Sequence, residues 1–219
     1  MKDHATTGTA PLVGVAYYRP PSPPLSEWED DFKQIKAMGF QVVKIWLYWG
    51  WHERKPGVFD WTESDRFFDL AEKNGLLVEP NIILELPPSW LPIKHRLEGM
   101  KGYVERSHFP AVYIPCFDDP EVRRSAEPFI KALASRYAPR NIVHWDVWNE
   151  PRSKWTCLCE ASRKIYAAWL AQRFGTIGAY NRKFGKCFHS WEAAAYYLKG
   201  GGDYADEFNW RLWAAEQLA

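Results

Sequence analysis

Asn149 and Glu150 stand at the end of a short apolar run, Ile142 to Trp148, and directly before Pro151. A glutamate at the carboxyl end of a barrel strand sits where (β/α)8 enzymes build their sites, and a protonated carboxyl there can give its proton to a departing oxygen. The chemistry this points to is glycoside hydrolysis with Glu150 as proton donor. The plainer reading is that Asn-Glu-Pro only ends a strand and opens a helix. Against it stand the aromatic surroundings: Trp145 and Trp148 lead into the pair, and Trp46, Trp49 and Trp51 cluster at the end of another apolar run. Sugar sites use tryptophan faces as platforms for the apolar side of a ring, which makes Trp49 and Trp148 candidate substrate-binding residues, with core packing as their ordinary alternative. Other carboxylates near strand ends are Glu53, Glu79 and Glu85. For Glu85 a loop or ion-pair role outweighs that of a nucleophile. His52 and His144 have no carboxylate at a catalytic spacing and read as structural.

The elements that must position these residues alternate along the chain. Leu12–Tyr18 reads as a strand. Ser26 is an N-cap candidate for a helix over Glu27–Met38, in which Trp28, Phe32, Ile35 and Met38 recur at helical spacing. Phe40–Leu47 and Leu76–Leu84 read as buried strands, with a tryptophan-rich loop and a helix over Glu63–Asn74 between them. The Pro- and Gly-rich stretch Glu85–Pro120 is too long for an ordinary connection, and such excursions in compact folds are usually functional. A helix over Glu121–Tyr137 and a fourth strand over Asn141–Trp148 follow. Beyond residue 160 the chain is helical, in pieces broken at Gly175, Gly185 and Gly200–Gly202. Repeated strand–helix units predict right-handed parallel packing, an α/β fold of about the first four units of a (β/α)8 barrel plus a helical tail.

Composition narrows the partners. The 219 residues carry 28 basic and 27 acidic side chains, a net charge of +1, so no electrostatic footprint for nucleic acid or an anionic membrane is present and a small or neutral substrate is expected. The 13 tryptophans exceed what a core needs and favour a carbohydrate. Met1–Pro11 lacks the basic start and apolar run of a signal peptide, and no stretch approaches the length of a membrane span, so the chain reads as cytoplasmic. Four cysteines, Cys116, Cys157, Cys159 and Cys187, are too few and scattered for a disulfide scaffold.

Read together, these pieces resemble the amino-terminal half of the catalytic barrel of family 42 glycoside hydrolases, the β-galactosidases of a large retaining clan. The likeness rests on Gly14–Tyr18, on Trp28 with Asp31 and Met38–Gly39, and on Glu53 with Gly57–Trp61. It continues through Pro87–Leu91, Asn149–Glu150, Trp169–Ile177 and Asn181–Gly185, and so runs over nearly the whole chain. Such a resemblance implies a two-carboxylate retaining mechanism, in which one acid protonates the glycosidic oxygen while a carboxylate ~5 Å away attacks the anomeric carbon. Glu150 matches the acid/base, and Asn149 the residue that hydrogen-bonds the sugar 2-hydroxyl. The chemistry requires no cofactor. The resemblance also places Cys116, Cys157 and Cys159 where many members carry a structural zinc cluster, with Ser162, a poor zinc ligand, at the position of a fourth cysteine. Free, partly buried thiols are the alternative, and His108 or His189 would be other completions of the shell.

Three departures qualify the match. The family's nucleophile lies on the seventh barrel strand, and no residue here corresponds to it. Lys44 stands where the family has an arginine. Val112 replaces a sugar-site arginine four residues before Cys116, with Arg106 in the same loop as a possible substitute. The expectation is therefore that residues 1–219 are the amino-terminal part of a catalytic domain, holding the acid/base half of the site. Its exposed sheet edges would favour self-association or a missing carboxyl-terminal half. A non-catalytic carbohydrate-binding or interaction module, or an inactive fragment of a longer enzyme, is the rival reading.

Overall fold

The computed structural model describes residues 11–18, 23–92, 114–148, 157–197 and 203–217. Three parallel strands, β1 (Gly14–Ala16), β2 (Val42–Tyr48) and β3 (Leu77–Ile83), form a sheet in the order β1-β2-β3. Helix α1 (Trp28–Ala37) connects the first pair. The one-turn helix α2 (Trp49–His52) and α3 (Thr62–Lys73) connect the second, and α4 (Pro120–Tyr137) follows β3. The strands are in register from Lys44↔Glu79 through Trp46↔Asn81 to Tyr48↔Ile83.

Alternation along the strands separates two faces. Val43, Ile45, Leu47, Val78 and Ile82 join Trp28, Phe32, Phe67, Phe68, Phe129 and Tyr137 in one buried cluster, so this face packs against the helices. The opposite face carries Lys44, Trp46, Glu79 and Asn81 and leads to the strand ends. Trp28, Phe32 and Ile35 confirm the helical stripe expected of α1. Met38 does not belong to it: it is the C-cap and is 73% exposed. Ser26 does not cap the helix either. A turn closed by Glu27 N–H to the Pro24 carbonyl makes Glu27 the N-cap, with no side-chain cap bond.

Asn141–Trp148, expected as a strand, makes two isolated parallel bridges to β3, Val78↔Ile142 and Asn81↔Asp146. Four residues on one side therefore span what three span on the other, a bulge of one residue. The cause lies in β3. Val78 and Ile82 donate to the Asn141 and Asp146 carbonyls, but Pro80, between them on the same edge, has no N–H to give and only accepts from Asp146. The ladder loses a rung at Pro80 and the chain slips there.

A second core forms from α5 (Glu160–Phe174), α6 (Ile177–Phe184), α7 (Trp191–Tyr197) and α8 (Tyr204–Glu216). Tyr166, Leu170, Tyr180, Ala195 and Trp213 are its centre. Asp203 and Asp206 form a capping box at the start of α8, and Trp169 Nε1 donates to Glu216 at its end, 2.6 Å away. No helix among the described residues is long and apolar enough to cross a membrane.

Candidate active site and thiol cluster

A cleft of about 510 Å³ lies beside β3, lined by Glu79, His144, Trp145, Asp146, Val147, Trp148 and Gln217. Lys44 ties its floor together, with Nζ 2.6 Å from Asp146 and 3.0 Å from Glu79. Burial works against the charge on Lys44, but the hydrogen bonds to Asp146 and Glu79 outweigh it and raise its pKa. His144 is mostly exposed, with Nε2 3.4 Å from Glu79. Tyr18 stacks on Trp46 at 4.5 Å. Asn81, level with Trp46 and Asp146, is fully buried, and neither amide atom has a hydrogen-bond partner among the described residues. Asn149 and Glu150 lie outside the described residues, as do Arg106, His108 and Val112. Asp146, which alternates with Trp148 and Glu150 at strand spacing, is a member of the cleft that sequence reasoning missed, although its period-two position carried the signal.

Glu53 organises a separate tryptophan cluster. It is 2% exposed. It accepts from Trp49 Nε1 at 2.6 Å and from the Gly57 N–H at 2.8 Å, and its own carbonyl accepts from Trp90 Nε1 at 2.9 Å. Gly57 turns the loop at φ +72°, a conformation that suits glycine. Trp49 is fully buried and meets Trp90 edge to face, whereas Trp148 lines the cleft. Where the sequence read as loop, Trp49–His52 forms a helical turn that touches the Leu86–Pro87 backbone: Gly50 N–H donates to Leu86, and a Cβ at Gly50 would lie 2.5 Å from the Pro87 carbonyl oxygen. His52 is structural, as expected, held by the Tyr48 carbonyl and the Ser64 hydroxyl at 2.7 Å each.

Glu85, two residues past β3, is 8% exposed. Burial pushes it up to about 7, against the pull of hydrogen bonds from its own N–H and that of Leu84, and the negative charge of Asp146 adds to the rise.

The fold also gathers Cys116, Cys157 and Cys159, their sulfurs all within 4.8 Å of one another, into a group that can hold a metal ion. Cys116 Sγ lies 3.6 Å from Cys159 Sγ. Contacts with Cys157 and Cys159 push the Cys116 thiol up, while contacts from Cys116 and Cys157 hold Cys159 far below the usual thiol range. Ser162, fully buried on the first turn of α5, places Oγ 3.5 Å from Cys116 Sγ and 3.4 Å from Cys159 Sγ. Asp118 hydrogen-bonds Ser162; burial nonetheless raises its carboxyl. Cys187 is exposed, apart from this group. His189 is likewise not part of it.

The profile of glycoside hydrolase family 42, described as beta-galactosidase, matches residues 17–197. Beta-galactosidases of Thermus sp. and Thermus thermophilus are 27% and 28% identical to this chain over 190 residues, in each case 82% of this chain and 28% of the relative. The solved beta-galactosidase of the Antarctic haloarchaeon Halorubrum lacusprofundi is similar with a TM-score of 0.69 at 26% identity, over 83% of this chain and 29% of that one. The catalytic domain of a beta-amylase from Paenibacillus polymyxa shares the fold alone, at a TM-score of 0.63 and 13% identity, over 82% of this chain and 51% of that one. The chain thus spans about 28% of the length of the curated relatives it matches. Its three-stranded parallel sheet and helices are a partial TIM barrel.

Proposed function

Because this chain belongs to glycoside hydrolase family 42, we propose that it supplies the acid/base half of a retaining β-galactosidase site. Residues 1–219 are then the amino-terminal part of the catalytic domain, and the carboxylate that attacks the anomeric carbon comes from outside them. Glu150 protonates the departing oxygen and afterwards activates water, and Asn149 holds the sugar 2-hydroxyl. Trp148 offers a face to the ring, and Trp49 serves by bracing Glu53 and Trp90. The observation that carries this reading is the cleft beside β3 lined by Trp145 and Trp148, with Asp146 fixed by Lys44 four residues before Glu150.

The thiol cluster fits a structural zinc. With Zn–S near 2.3 Å and Zn–O near 2.0 Å, a tetrahedron of three sulfurs and one oxygen has S···S spacings of about 3.8 Å and S···O spacings of about 3.5 Å. The observed 3.6, 3.5 and 3.4 Å agree with that cage. A zinc ion there would tie the segment before α4 to the start of α5.

The test compares these residues, joined to the part of the protein that supplies the attacking carboxylate, with and without Glu150→Gln, for binding of galactose, followed by tryptophan fluorescence, and for turnover of β-galactosides. Binding should survive the change. Turnover of an unactivated galactoside should fall by about 10²-fold or more, and that of a nitrophenyl galactoside by less, because a good leaving group needs no proton. Equal losses on both substrates, or full activity of the variant on the unactivated one, would reject Glu150 as the proton donor.

A further inference from the structure

The cage leaves one corner to be identified, and Ser162 Oγ stands beside it. Ser162 Oγ is within 3.5 Å of two of the three sulfurs, on a side chain with no exposure to solvent. A serine hydroxyl is by itself a weak ligand, since its proton competes with the metal for the oxygen lone pairs. Here the Asp118 carboxylate hydrogen-bonds Ser162. With the hydroxyl donating to that carboxylate, its lone pairs are left to face the sulfurs. Outer-shell hydrogen bonds of this kind orient a ligand and raise its basicity.

Charge counting favours the same arrangement. Three thiolates around a divalent ion leave one net negative charge, and Asp118 beside them adds a second. A fourth thiolate would make it three in a buried site, where like charges are expensive to gather. The site also lies at the start of the 15-residue helix α5, whose N-cap is Cys159. The helix N-terminus stabilises the negative charge of such a shell.

We propose that Ser162 Oγ, oriented by the Asp118 carboxylate, is the fourth ligand of a zinc ion whose other ligands are Cys116, Cys157 and Cys159. This rests on the zinc reading above and adds to it the identity of the fourth corner and of the residue that prepares it. The oxygen makes this corner the weakest bond of the shell.

The experiment measures zinc stoichiometry and affinity on the reduced 219-residue chain by chelator competition, with X-ray absorption at the zinc edge. Ser162→Ala, Ser162→Cys and Asp118→Asn are run alongside. The expected wild type holds one zinc with three sulfurs near 2.3 Å and one oxygen near 2.0 Å, and Ser162→Cys shows four sulfurs. Asp118→Asn should lower affinity about 10–100-fold, and Ser162→Ala by at least as much. Wild-type affinity in Ser162→Ala, with its fold verified by circular dichroism, overturns the serine ligand while leaving the zinc reading intact. Zinc in Ser162→Cys but none in the wild type does the same. No zinc in either protein refutes the zinc reading itself. If Ser162→Ala fails to fold, the sulfur count in Ser162→Cys decides: a shell still holding three sulfurs overturns the proposal.

Discussion

Glu85→Gln isolates one buried charge. The side chain keeps its shape, and the variant removes a carboxyl that is 8% exposed and pushed up to about 7 from an ordinary 4.5 by burial, with Asp146 adding to the rise. Lys44 does not relieve that repulsion fully, because it is shared between Asp146 and Glu79. Below 4.5 the carboxyl is protonated in the folded and the unfolded chain alike, so it costs nothing. Between 4.5 and about 7 the unfolded chain loses the proton first while the folded chain keeps it, so stability falls as pH rises. Above that window both states are ionised and the whole penalty is present. At about 1.4 kcal/mol per pH unit, the gap corresponds to about 3 kcal/mol. Urea unfolding of the two proteins, compared at matched m-values, should show Glu85→Gln gaining about 3 kcal/mol over the wild type between about pH 4 and about pH 8. A difference between the proteins that stays constant across that range, or that runs the other way, refutes the argument that burial controls this group.

Two further substitutions test the packing around the cleft. Gly50→Ala must push α2 off the Leu86–Pro87 backbone, since the added Cβ would meet the Pro87 carbonyl oxygen at 2.5 Å. A loss of about 1–3 kcal/mol in chemical denaturation is expected, and a neutral change would show that the contact gives way freely. Lys44→Met leaves Glu79 and Asp146 facing each other with no cation between them. For groups about a fifth exposed the loss should be ~2 kcal/mol at neutral pH, between the values for surface and buried pairs. Lys44→Arg should recover most of it, and equal losses in both variants would mean that alkyl packing rather than charge is at stake.

Much of the scaffold was legible because it rests on periodicity. Trp28, Phe32 and Ile35 announce the buried face of α1, and the apolar density of β2 and β3 announces strands packed on helices. What escaped was set by contacts across the chain or by a missing atom. Pro80 is plain in the sequence, but that its absent N–H would fall on the edge facing Ile142–Asp146 depends on which way β3 is turned. Trp49 and Trp148 look alike as sequence, yet Glu53 draws one into its cluster and the other lines the cleft. Ser162 stands at the position of a fourth cysteine by the family resemblance, but its residue type counts against a ligand. Its place beside Cys159 is local, three residues on, but its contacts with Cys116 and Asp118 arise from folding a distant segment onto it.

The thiol cluster also bears on how the chain between the two cores is held. Cys116 and Cys159 are 43 residues apart, and closing a loop of that length with a permanent link would remove unfolded-state entropy amounting to about 4 kcal/mol. Inside the loop, Asp146 is anchored by Lys44, and Cys157 belongs to the sulfur group. Asp146 and Cys157, which flank Glu150 in the sequence, are thus two fixed points, one held by an ion pair and one within the sulfur group. A zinc ion at the second of these points would act as a clasp: chelating it would release Cys157 without touching Asp146 or Lys44, and would be read as poorer positioning rather than lost chemistry.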